Sequence, residues 1–525
     1  MRTADVLHLV RGCLLPGSPR PGESGEAVKF YVTTPVYYVN ALPHLGHAYS
    51  TIAADVLARF HRMRGDEVFF LTGTDEHGQK IAEAARTEGV DPKTFTDRMA
   101  KIYAEMWQNL DIRYDRFIRT TNIRHEQIVK KVFSRLREQG DIYPAEYRGF
   151  YCVPCESYVQ PKTESGAPSC PDCGRPVQEL NESSYFFRLS AYQQRIKDHI
   201  AAHPSFILPE FRRNEVLGFL GQQLRDLSFT RRTVSWGIQS PTPEGYPIYV
   251  WVDALINYLS GVGYLEDEGE FARFWPPDVQ IIGKDIIRFH DIIWPAMLMA
   301  LGLPLPRTIF AHGWWVVGKD KMSKSKGNIV SPRDLSAEYG ACAVRFFLMR
   351  EIPFGMDGEF SDARLRKRYN SDLANDFGNL VNRTLNLVEK KCAGRIPSPS
   401  VSGDLDALVS SVVLAYEERM ERCAFHEALD EVWRVVTWLN RHLDEAAPWR
   451  LEGEKAGAVL YHVCEGIRVC GLLLHPFMPA SCARVREMLG LPALPEKEAL
   501  ASWRERIAGG IAIGPRCILF PRKAV

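Results

Sequence analysis

The stretch Lys29-Phe30-Tyr31-Val32-Thr33 opens a strand, helix, strand succession that decides the fold class. It is rich in β-formers and predicts a buried first strand, after which Pro35, Asn40 and Pro43 indicate turns. A second strand is predicted at residues 67–71. Between the two strands a helix begins near Leu45 and ends at Gly65, with apolar side chains at helical spacing: Ile52, Val56, Leu57, Phe60 and Met63. A parallel crossover unit of this length predicts a doubly wound α/β domain, whose ligands bind beyond the carboxyl ends of the strands.

A later part of the chain supplies further strands of the same kind. We predict strands at residues 246–251, 279–283 and 308–311, with helices starting near Val252 and after Lys284. These segments are the expected second half of the same sheet. Residues 79–148 are predicted to be helical, most clearly at 95–110 and 125–139, and residues 211–236 have a mixed pattern.

Composition excludes several classes of function. A chain of 525 residues is too long for one core, so two to four domains are expected. Hydrophobic content of 46% and charged content of 25% are typical of a soluble globular protein. The longest apolar run, residues 292–303, contains a proline and is too short to span a bilayer, so no membrane role is expected. With 65 basic and 64 acidic residues, any polyanion must be bound by a local basic surface.

The first 28 residues are predicted to be a disordered lead-in or a transit peptide. Arg2, Arg11 and Arg20 precede every acidic residue except Asp5, which leaves room for an organellar signal. Twelve cysteines, eight of them scattered singly, suit a reducing compartment. The expected location is the cytoplasm, with a mitochondrial or plastid matrix as the alternative.

Two C-x-x-C pairs predict a zinc site. Cys152 and Cys155 form the first pair, and Cys170 and Cys173 form the second after fourteen intervening residues. Each turn places two thiolates on one edge of a tetrahedron, and four sulfur ligands close the coordination sphere. The metal would therefore be structural and would fold a small insert. The alternative is four unbound thiols or a redox pair.

The motif Pro43-His44-Leu45-Gly46-His47 points to phosphate. Its two histidines straddle the start of the first helix, where unpaired backbone N–H groups and the positive end of the helix dipole favour an anion. Imidazole N–H donors at this place would complement a phosphate. The alternative is that His44 only caps the helix and His47 packs against the sheet.

A second motif, Lys321-Met322-Ser323-Lys324-Ser325, follows a strand-like apolar run at residues 314–318. Two lysines three residues apart can bring mobile positive charge onto a polyphosphate without a rigid cradle. Such a loop alone is more often a solvated turn, and its pairing with the histidine motif favours catalysis. The adjoining segment 313–320 has P-loop spacing only, because Asp320 replaces the metal-binding hydroxyl residue, and we predict a strand and a turn there.

From about residue 365 the pattern is wholly helical. A helix at 370–389 and, after a Pro/Ser/Gly linker, helices near 404–422, 425–445 and 455–473 predict a bundle. A basic cluster precedes it, formed by Arg364, Arg366, Lys367 and Arg368. Such a cluster is usually a solvated face, but this one stands where an RNA could pass between domains.

These motifs resemble those of the methionyl-tRNA synthetases, a family of class I aminoacyl-tRNA synthetases, from Lys29 onward. Besides the histidine and lysine signatures, the resemblance rests on Gly73-Thr74-Asp75-Glu76-His77-Gly78, on Tyr249-Val250-Trp251-Val252-Asp253-Ala254 and on Ile282-Gly283-Lys284-Asp285-Ile286. It implies an enzyme that activates L-methionine with ATP and Mg²⁺ to methionyl-adenylate and pyrophosphate. Methionine would then pass to the 3′ end of tRNA(Met).

The resemblance also implies roles for single residues. His44, His47, Lys321 and Lys324 would be catalytic, and Gly46 and Asp285 would join them in binding ATP. Asp75 would hold the methionine ammonium group. A thioether favours an enclosing wall with aromatic edges, and the residues that map onto this pocket are Val36, Tyr38, Trp251, Ala254, Tyr258, Ile286 and His290.

The helical part resembles the anticodon-binding domain of the family. Asn379, Arg383 and Trp449 align with positions that read the anticodon, and an exposed tryptophan can stack on an unstacked loop base. The alternative for Trp449 is a core residue at the end of the bundle. We expect a monomer, because no appended oligonucleotide-binding module follows, and no insert of the size of an editing domain is present.

The resemblance divides the chain into six segments. They are the lead-in 1–28, the two halves of a Rossmann-like catalytic domain at 29–140 and 236–320, the connective insert with its zinc knuckle at 141–235, the lysine-signature and stem-contact region at 321–370, and the anticodon-binding bundle at 371–525.

Two other functions remain open from the sequence. A relative that charges cysteine also combines both signatures with zinc, but its metal would contact the substrate thiol and keep an open position, against which four cysteine ligands argue. The other is a catalytically inactive RNA-binding paralogue, against which the two intact signatures argue.

Overall fold

The computed structural model describes residues 28–152, 157–159, 168–170, 174–232, 234–318, 320–321, 330–495, 497 and 499–524. Its strands are β1 (Lys29–Tyr38), β2 (Glu67–Asp75), β3 (Arg116–Arg119), β4 (Ile142–Cys152), β5 (Ser157–Val159), β6 (Gln178–Phe187), β7 (Ile207–Leu208), β8 (Leu227–Ser228), β9 (Val279–Gly283), β10 (Thr308–His312), β11 (Trp315–Val317), β12 (Asp320–Lys321) and β13 (Gly358–Glu359).

The helices alternate with these strands and then continue alone. They are α1 (Leu45–Arg64), α2 (Gln79–Glu88), α3 (Pro92–Asn109), α4 (Ile123–Glu138), α5 (Leu189–Ala202), α6 (Glu210–Leu220), α7 (Val250–Ser260), α8 (Glu268–Phe274), α9 (Trp294–Leu301), α10 (Pro332–Tyr339), α11 (Ala341–Arg350), α12 (Asp362–Arg368), α13 (Asn379–Lys391), α14 (Gly403–Glu421), α15 (Phe425–Ala446), α16 (Gly453–Leu474) and α17 (Pro479–Met488).

The main sheet has six parallel strands in the order β3-β2-β1-β9-β10-β7. The order reverses between β1 and β9, which makes their carboxyl ends the topological switch point where open α/β sheets bind ligands. This confirms the doubly wound fold and shows that residues 279–283 and 308–311 complete the sheet begun at Lys29. The histidine motif follows β1, and Asp285 follows β9.

The first strand is longer than predicted, because Pro35 does not end it. The register of β1 against β2 shifts between Thr33 and Val36, and the pairing then continues to Tyr38 opposite Asp75. Proline lacks the N–H that a ladder needs, so it is tolerated in a sheet where the pairing is irregular. Helix α1 ends as predicted, at Gly65 with φ of 97°, a left-handed conformation that glycine adopts without strain.

Two predictions of secondary structure are wrong. Residues 246–251 do not form a strand: Pro247 and Ile248 make only isolated bridges, and α7 begins at Val250. The run is apolar because α7 is buried along most of its length, and burial on all sides removes the periodicity that separates helix from strand. Residues 79–148 are not all helical, since β3 pairs with β2 and β4 pairs with β6.

The segment between the two halves of the main sheet has its own sheet. β5, β4, β6 and β8 lie side by side in that order and pair antiparallel. Between β6 and β8 the chain passes through α5 to β7, which pairs with β10 at the edge of the main sheet. The strand pairs therefore bring residues 207–208 back to the nucleotide-binding layer.

The C-terminal part is helical, as predicted. Helices α14, α15 and α16 confirm the helices expected near 404–422, 425–445 and 455–473. The helix expected at 370–389 starts as a π-helical segment at Tyr369–Gly378 and continues as α13. Helix α16 is long and apolar enough to cross a membrane by length and composition, but 78% of its apolar window is buried inside the protein.

A buried arginine joins this bundle to the nucleotide-binding layer. The Arg345 side chain, fully buried in α11, donates to Asp55 Oδ2 of α1 at 2.6 Å and to the carbonyl oxygens of Pro476 at 2.7 Å and Phe477 at 2.9 Å. Asp55 also accepts from Arg59 Nε at 2.7 Å. Burial by itself would raise the pKa of the Asp55 carboxyl, but the two guanidinium groups outweigh this and lower it.

Candidate active site and RNA-binding surface

Several of the residues predicted to bind ATP and methionine lie at the carboxyl ends of the central strands or just after them. The histidine motif follows β1, Asp75 ends β2, and Asp285 to His290 follow β9. Tyr38 lies opposite Asp75 in the β1–β2 ladder, so these two predicted methionine ligands are neighbours. The sheet topology thus brings together residues that are up to 250 positions apart in the sequence.

His44 and His47 are held against each other at the start of α1. His44 is the N-cap residue: its Nδ1 accepts from the backbone N–H of Gly46 at 3.0 Å, and His47 Nδ1 accepts from the backbone N–H of His44 at 3.2 Å. The two rings stack with centroids 3.8 Å apart. A backbone N–H can only donate, so each Nδ1 carries no proton and each neutral imidazole carries its proton on Nε2. The cap therefore prepares two Nε2–H donors beside the helix N-terminus.

The capping alternative and the phosphate-binding prediction are thus compatible for His44. His47 lies in addition near the aromatic side chains of Tyr37 and Tyr103, with ring centroids at 5.0 and 5.5 Å. Tyr103, which sequence reasoning did not single out, donates from its hydroxyl to the Ala41 carbonyl at 3.2 Å and so fixes the loop before the motif. Gly46 is required here, because a Cβ would stand 2.9 Å from the His44 ring.

Of the lysine motif, the structure describes Lys321. Lys321 ends β12, which pairs antiparallel with β11, while Lys324 lies outside the described residues. The predicted strand at 314–318 is confirmed as β11, and Gly318 has a φ of 63° in the turn after it. Beyond the loop, the Val330 carbonyl accepts a hydrogen bond from the backbone N–H of Leu45 at 3.2 Å. Val330, five residues after the lysine motif, therefore contacts the histidine motif directly.

Asp285 is exposed and held by Trp314. The indole N–H of Trp314 donates to Asp285 Oδ1 at 3.0 Å, and the Lys284 ammonium lies 4.1 Å from the centroid of the Trp314 ring. Gly283 allows this arrangement, since a Cβ there would meet Asp285 Oδ1 at 2.7 Å. Trp314 was not predicted to belong to the site. Its position directly before β11, the strand that pairs with the one ending in Lys321, could have indicated it.

The predicted thioether pocket is assembled around one hydrophobic cluster. Val36, Tyr38, Trp251 and Ile286 are half-buried against the cluster that contains the buried Tyr258. Ala254 is also buried, and the Trp251 ring stacks on Phe289 with centroids 3.9 Å apart. The Lys80 ammonium lies 5.6 Å from the centroid of the Tyr38 ring. Aromatic faces, an aliphatic side chain and few charges suit an uncharged flexible side chain.

Two polar groups in this wall satisfy each other without charge. His290 Nδ1 lies 3.1 Å from the Ile286 carbonyl, which can only accept, so His290 Nε2 must accept the hydrogen bond from the Tyr258 hydroxyl at 2.8 Å. Burial lowers the pKa of His290 to about 4 and raises the pKa of Tyr258 well above its ordinary value. Both groups are neutral at physiological pH, so the wall stays uncharged.

Behind this wall lies a buried carboxylate between two histidines. Asp253 Oδ2 is 2.7 Å from His77 Nδ1, and Asp253 Oδ1 is 2.7 Å from His125 Nε2. All three side chains are buried. The sequence analysis used Asp253 and His77 only as parts of motifs. Asp253 is a charged residue within the apolar run 249–256, and this could have indicated that its carboxylate has a buried hydrogen-bond partner.

The described part of the cysteine insert contains one member of each pair. Cys152 ends β4, the backbone N–H of Gly174 donates to the Cys170 carbonyl at 2.9 Å, and both cysteines are buried. Gly174 has a φ of 70°. Cys155 and Cys173 lie outside the described residues, and within those residues no cluster of three metal-binding side chains is found.

The predicted anticodon residues lie on the bundle. Asn379 is exposed at the first turn of α13, and Arg383 Nη2 donates to Asp444 Oδ1 of α15 at 2.6 Å. Trp449 lies in the 3₁₀ turn that follows α15 and is 42% exposed, so the alternative of a core residue is wrong. In the basic cluster ahead of α13, Arg366 and Arg368 are engaged by Asp362, Glu351 and Asp372, which reduces the charge available to an RNA there.

Comparisons with known proteins match nearly the whole chain. The family model described as class I tRNA synthetases (M) matches residues 30–182 and 176–385, and that of the anticodon-binding domain of methionyl tRNA ligase matches residues 399–522. A methionine–tRNA ligase of Caldanaerobacter subterraneus is 47% identical over 94% of this chain and 78% of its own length, and one of Thermotoga maritima is 45% identical over 91% and 77%. The structure of Mycobacterium tuberculosis methionyl-tRNA synthetase in complex with methionyl-adenylate is 42% identical and superposes with a TM-score of 0.89, covering 94% of this chain and 100% of that one.

Proposed function

The chain belongs to the methionyl-tRNA synthetase family, and from this membership we propose how its residues carry out the family's reaction. Its activity is that of a methionine–tRNA ligase. L-methionine and ATP give methionyl-adenylate and pyrophosphate, after which methionine passes to the 3′ end of tRNA(Met) and AMP leaves. The remaining question is which side chains of this chain perform each step.

One contact carries the assignment of the phosphate-binding groups: the hydrogen bond from the Leu45 N–H to the Val330 carbonyl at 3.2 Å. Leu45 lies between His44 and Gly46, and Val330 follows the lysine motif. This contact places Val330, five residues after the lysine motif, against the histidine motif, which supports the proposal that both signatures act on one triphosphate. Had the two motifs faced different clefts, a single adenylating site would be impossible.

In the first step the protein stabilises charge and forms no covalent intermediate. The methionine carboxylate attacks the α-phosphorus of Mg²⁺–ATP, and pyrophosphate leaves from a pentacoordinate transition state. The Nε2–H groups of His44 and His47 donate to phosphate oxygens beside the backbone N–H of Gly46, and Lys321 and Lys324 supply mobile positive charge. Asp285, oriented by Trp314, binds the nucleoside part of ATP. Each such donor is worth on the order of 100- to 1,000-fold in rate.

Methionine is held between β1, β2 and α7. Asp75 pairs with the ammonium group, while the thioether lies in the uncharged wall. That wall consists of Val36, Tyr38, Trp251, Ala254, Tyr258, Ile286 and His290. One methylene is worth about 1–3 kcal/mol in such a pocket, so selection against longer or shorter side chains rests on shape and on the neutral Tyr258–His290 pair.

The tRNA is recognised at a distance from the chemistry. Trp449 stacks on an unpaired anticodon base, and Asn379 and Arg383 contact the neighbouring bases from α13. The Arg383 contact with Asp444 at 2.6 Å supports this, because it brings α13 next to the end of α15, where the Trp449 turn begins. The basic side chains near α12 contribute less, since they are largely engaged by carboxylates.

We propose one structural Zn²⁺ in the insert, held by Cys152, Cys155, Cys170 and Cys173. The burial of Cys152 and Cys170 and the hydrogen bond from the Gly174 N–H to the Cys170 carbonyl support this proposal. The metal would close the insert and take no part in the reaction. Purified protein should contain close to one zinc per chain by mass spectrometry of metals, and Cys152→Ser should lose it; a zinc-free protein of unchanged melting temperature would contradict the site.

The protein is proposed to be a monomer that acts in the cytoplasm. Its singly scattered cysteines suit a reducing compartment. Light scattering and the mature N-terminal sequence test these two statements, since a dimer or removal of the first twenty-odd residues would contradict them.

The chemical role of His44 can be separated from its capping role with one substitution, His44→Asn. Asn is a good N-cap residue and places an acceptor where His44 Nδ1 stands, but it has no group in place of Nε2–H. We expect His44→Asn to keep the melting temperature and to lose about 100- to 1,000-fold in methionine-dependent ATP–pyrophosphate exchange. Full activity of His44→Asn would show that the histidine only caps α1.

Lys324→Ala tests the lysine motif in the same assay. The matched control is Lys101→Ala, which removes the same charge from a side chain that is 78% exposed on α3. Exchange should fall about 100- to 1,000-fold in the first variant and stay at the wild-type level in the second. Exchange driven by cysteine instead of methionine, or no exchange with any amino acid, would support the two alternative functions.

A further inference from the structure

A continuous chain of polar side chains runs behind the predicted methionine wall. It links His77 to Asp253, Asp253 to His125, and His125 Nδ1 to the Ser260 hydroxyl, each at 2.7 Å. Side-chain exposure is 5% for His77 and 1% for Asp253 and His125. Such buried links are short because both partners are strongly polar, and they fix the positions of the elements that carry them.

The chain joins the elements that hold methionine. His77 follows Asp75 by two residues at the end of β2, and Asp253 lies between Trp251 and Ala254 in the first turns of α7. Ser260 ends the same helix, and His125 comes from α4. Helix α7 is thus hydrogen-bonded to His125 near both of its ends, through Asp253 and Ser260. Its first turn is also hydrogen-bonded, through Asp253, to His77 just after β2.

His77 is a titratable member of this chain of side chains, and its pKa is shifted upward. Burial opposes its charged form, but the Asp253 carboxylate outweighs this and raises the pKa of His77 above its ordinary value. Burial likewise opposes the charged form of Asp253, but the interactions with His77 and His125 together outweigh it and lower the pKa of Asp253. The groups that face His77 are Asp253 from α7, Glu126 from α4, Glu76 from its own segment, which is paired with Arg119 of β3, and the ring of Trp236 at 5.4 Å.

We propose that the charged His77 imidazolium is a positioning residue for methionine: its ion pair with Asp253 holds the first turn of α7 against the end of β2, and methionine affinity falls when His77 loses its proton. This inference rests on the proposed function. Neutral His77 still donates from Nδ1 to the Asp253 carboxylate, but the buried carboxylate loses the opposite charge of His77 and the hydrogen bond is weaker. The first turn of α7, and Trp251 with it, is then held less firmly.

The variant that isolates the charge is His77→Asn. The asparagine amide places an N–H donor where His77 Nδ1 stands, so the hydrogen bond to Asp253 can form, but it carries no charge at any pH. We expect wild-type protein to bind methionine about 5- to 10-fold more weakly once the pH has risen through the folded pKa of His77. His77→Asn should bind methionine at the weaker level at every pH, apart from the titration of methionine itself, which both proteins share.

The matched control is His61→Asn. His61 is buried in the last turn of α1 with Nδ1 2.7 Å from Asp66 Oδ2, so it forms a histidine–aspartate pair of equal length away from α7. The methionine affinity of His61→Asn, and the dependence of that affinity on pH, should match those of the wild type. Methionine binding is measured by tryptophan fluorescence and calorimetry from pH 6 to 9, and the folded pKa of His77 is read from the ¹³C-histidine resonance that disappears in His77→Asn.

Kinetics separate positioning from general damage. In pyrophosphate exchange, His77→Asn should raise the KM for methionine about 5- to 10-fold and leave kcat and the KM for ATP within about twofold. Equal increases in both KM values with a lower melting temperature would overturn the proposal, as would methionine binding within twofold of wild type at all pH values. The ligase activity itself is tested by the wild-type protein, whose methionine-dependent exchange does not depend on this variant.

Discussion

Replacing Asp291 with alanine should stabilise the protein. Asp291 lies in the π-helical segment Phe289–Ile293 that carries His290, and its side chain is fully buried. Among the residues that the structure describes, none donates a hydrogen bond to either carboxyl oxygen. Burial raises the pKa of Asp291 well above its ordinary value, and the negative charge of Glu215 adds to this effect. The carboxyl group is therefore held in its neutral form without a partner.

The size of the gain follows from two opposing costs. Burying a polar group without a hydrogen bond costs about 1–3 kcal/mol in proteins. Removing the carboxyl leaves a cavity of roughly 25 Å³, which at about 24 cal/mol per Å³ costs about 0.6 kcal/mol. A net gain of about 0.4–2.4 kcal/mol remains.

A second contribution depends on pH. The folded state keeps the proton of Asp291 where the unfolded state, with a pKa of about 3.9, loses it. Wild-type stability therefore falls relative to the variant by about 1.4 kcal/mol for each pH unit, from about pH 4 up to the folded pKa of Asp291. Below pH 4 the stabilities of the wild type and Asp291→Ala differ only by the pH-independent net gain given above.

Thermal unfolding by scanning fluorimetry at pH 5, 6, 7 and 8 measures both contributions. One kcal/mol shifts the melting temperature by about 2–4 °C for a unit of 150–250 residues, so we expect a gain of several degrees that widens as the pH rises. Asp291→Asn is the control, since its amide is neutral in both states and should remove only the pH-dependent part. A lower melting temperature for Asp291→Ala at every pH, or a difference that does not change with pH, would refute the reasoning.

Three further predictions use other contacts. Asp55→Asn should cost about 3–5 kcal/mol of stability, because Arg345 and Arg59 lose their buried counter-ion; a melting temperature within a degree of wild type would contradict this. Tyr258→Phe should raise the KM for methionine about 3- to 10-fold in pyrophosphate exchange, since His290 Nε2 loses its donor, and by the same factor at pH 6 and pH 8 because burial holds the pKa of His290 at about 4. Trp449→Ala should reduce kcat/KM for tRNA charging about 5- to 150-fold and spare pyrophosphate exchange. Leu414→Ala, which removes another exposed apolar side chain, on α14, should change neither. Equal losses in both assays would exclude an anticodon role for Trp449.

The chemistry of the site was largely readable from the sequence, and its geometry was not. The histidine and lysine motifs have a recognisable composition, because phosphate needs donors and mobile cations of few residue types. The contact between Leu45 and Val330 joins two backbone groups. Every residue has a backbone carbonyl and nearly every residue a backbone N–H, so the residue types do not predict this contact. For the same reason the tautomers of His44 and His47 follow from the cap geometry alone.

Errors in the predicted elements have a common cause. The run at 246–251 is apolar because α7 is surrounded by other elements, and its sequence then carries no helical period. Pro35 was read as a turn, but an irregularity in the β1–β2 ladder accommodates it. In both cases the neighbours in space, and not the local residues, decided the outcome.

The sequence by itself determined the doubly wound layer, the helical bundle and the residue types of the phosphate-binding signatures, because periodicity and motif chemistry are local properties. Only the tertiary structure decided that His290 accepts from Tyr258, that Arg345 joins the bundle to α1, and that Asp253 stands between two histidines. Each of these depends on which side chains meet after folding. A buried polar group is stable only with a partner, and that partner can come from any distance along the chain.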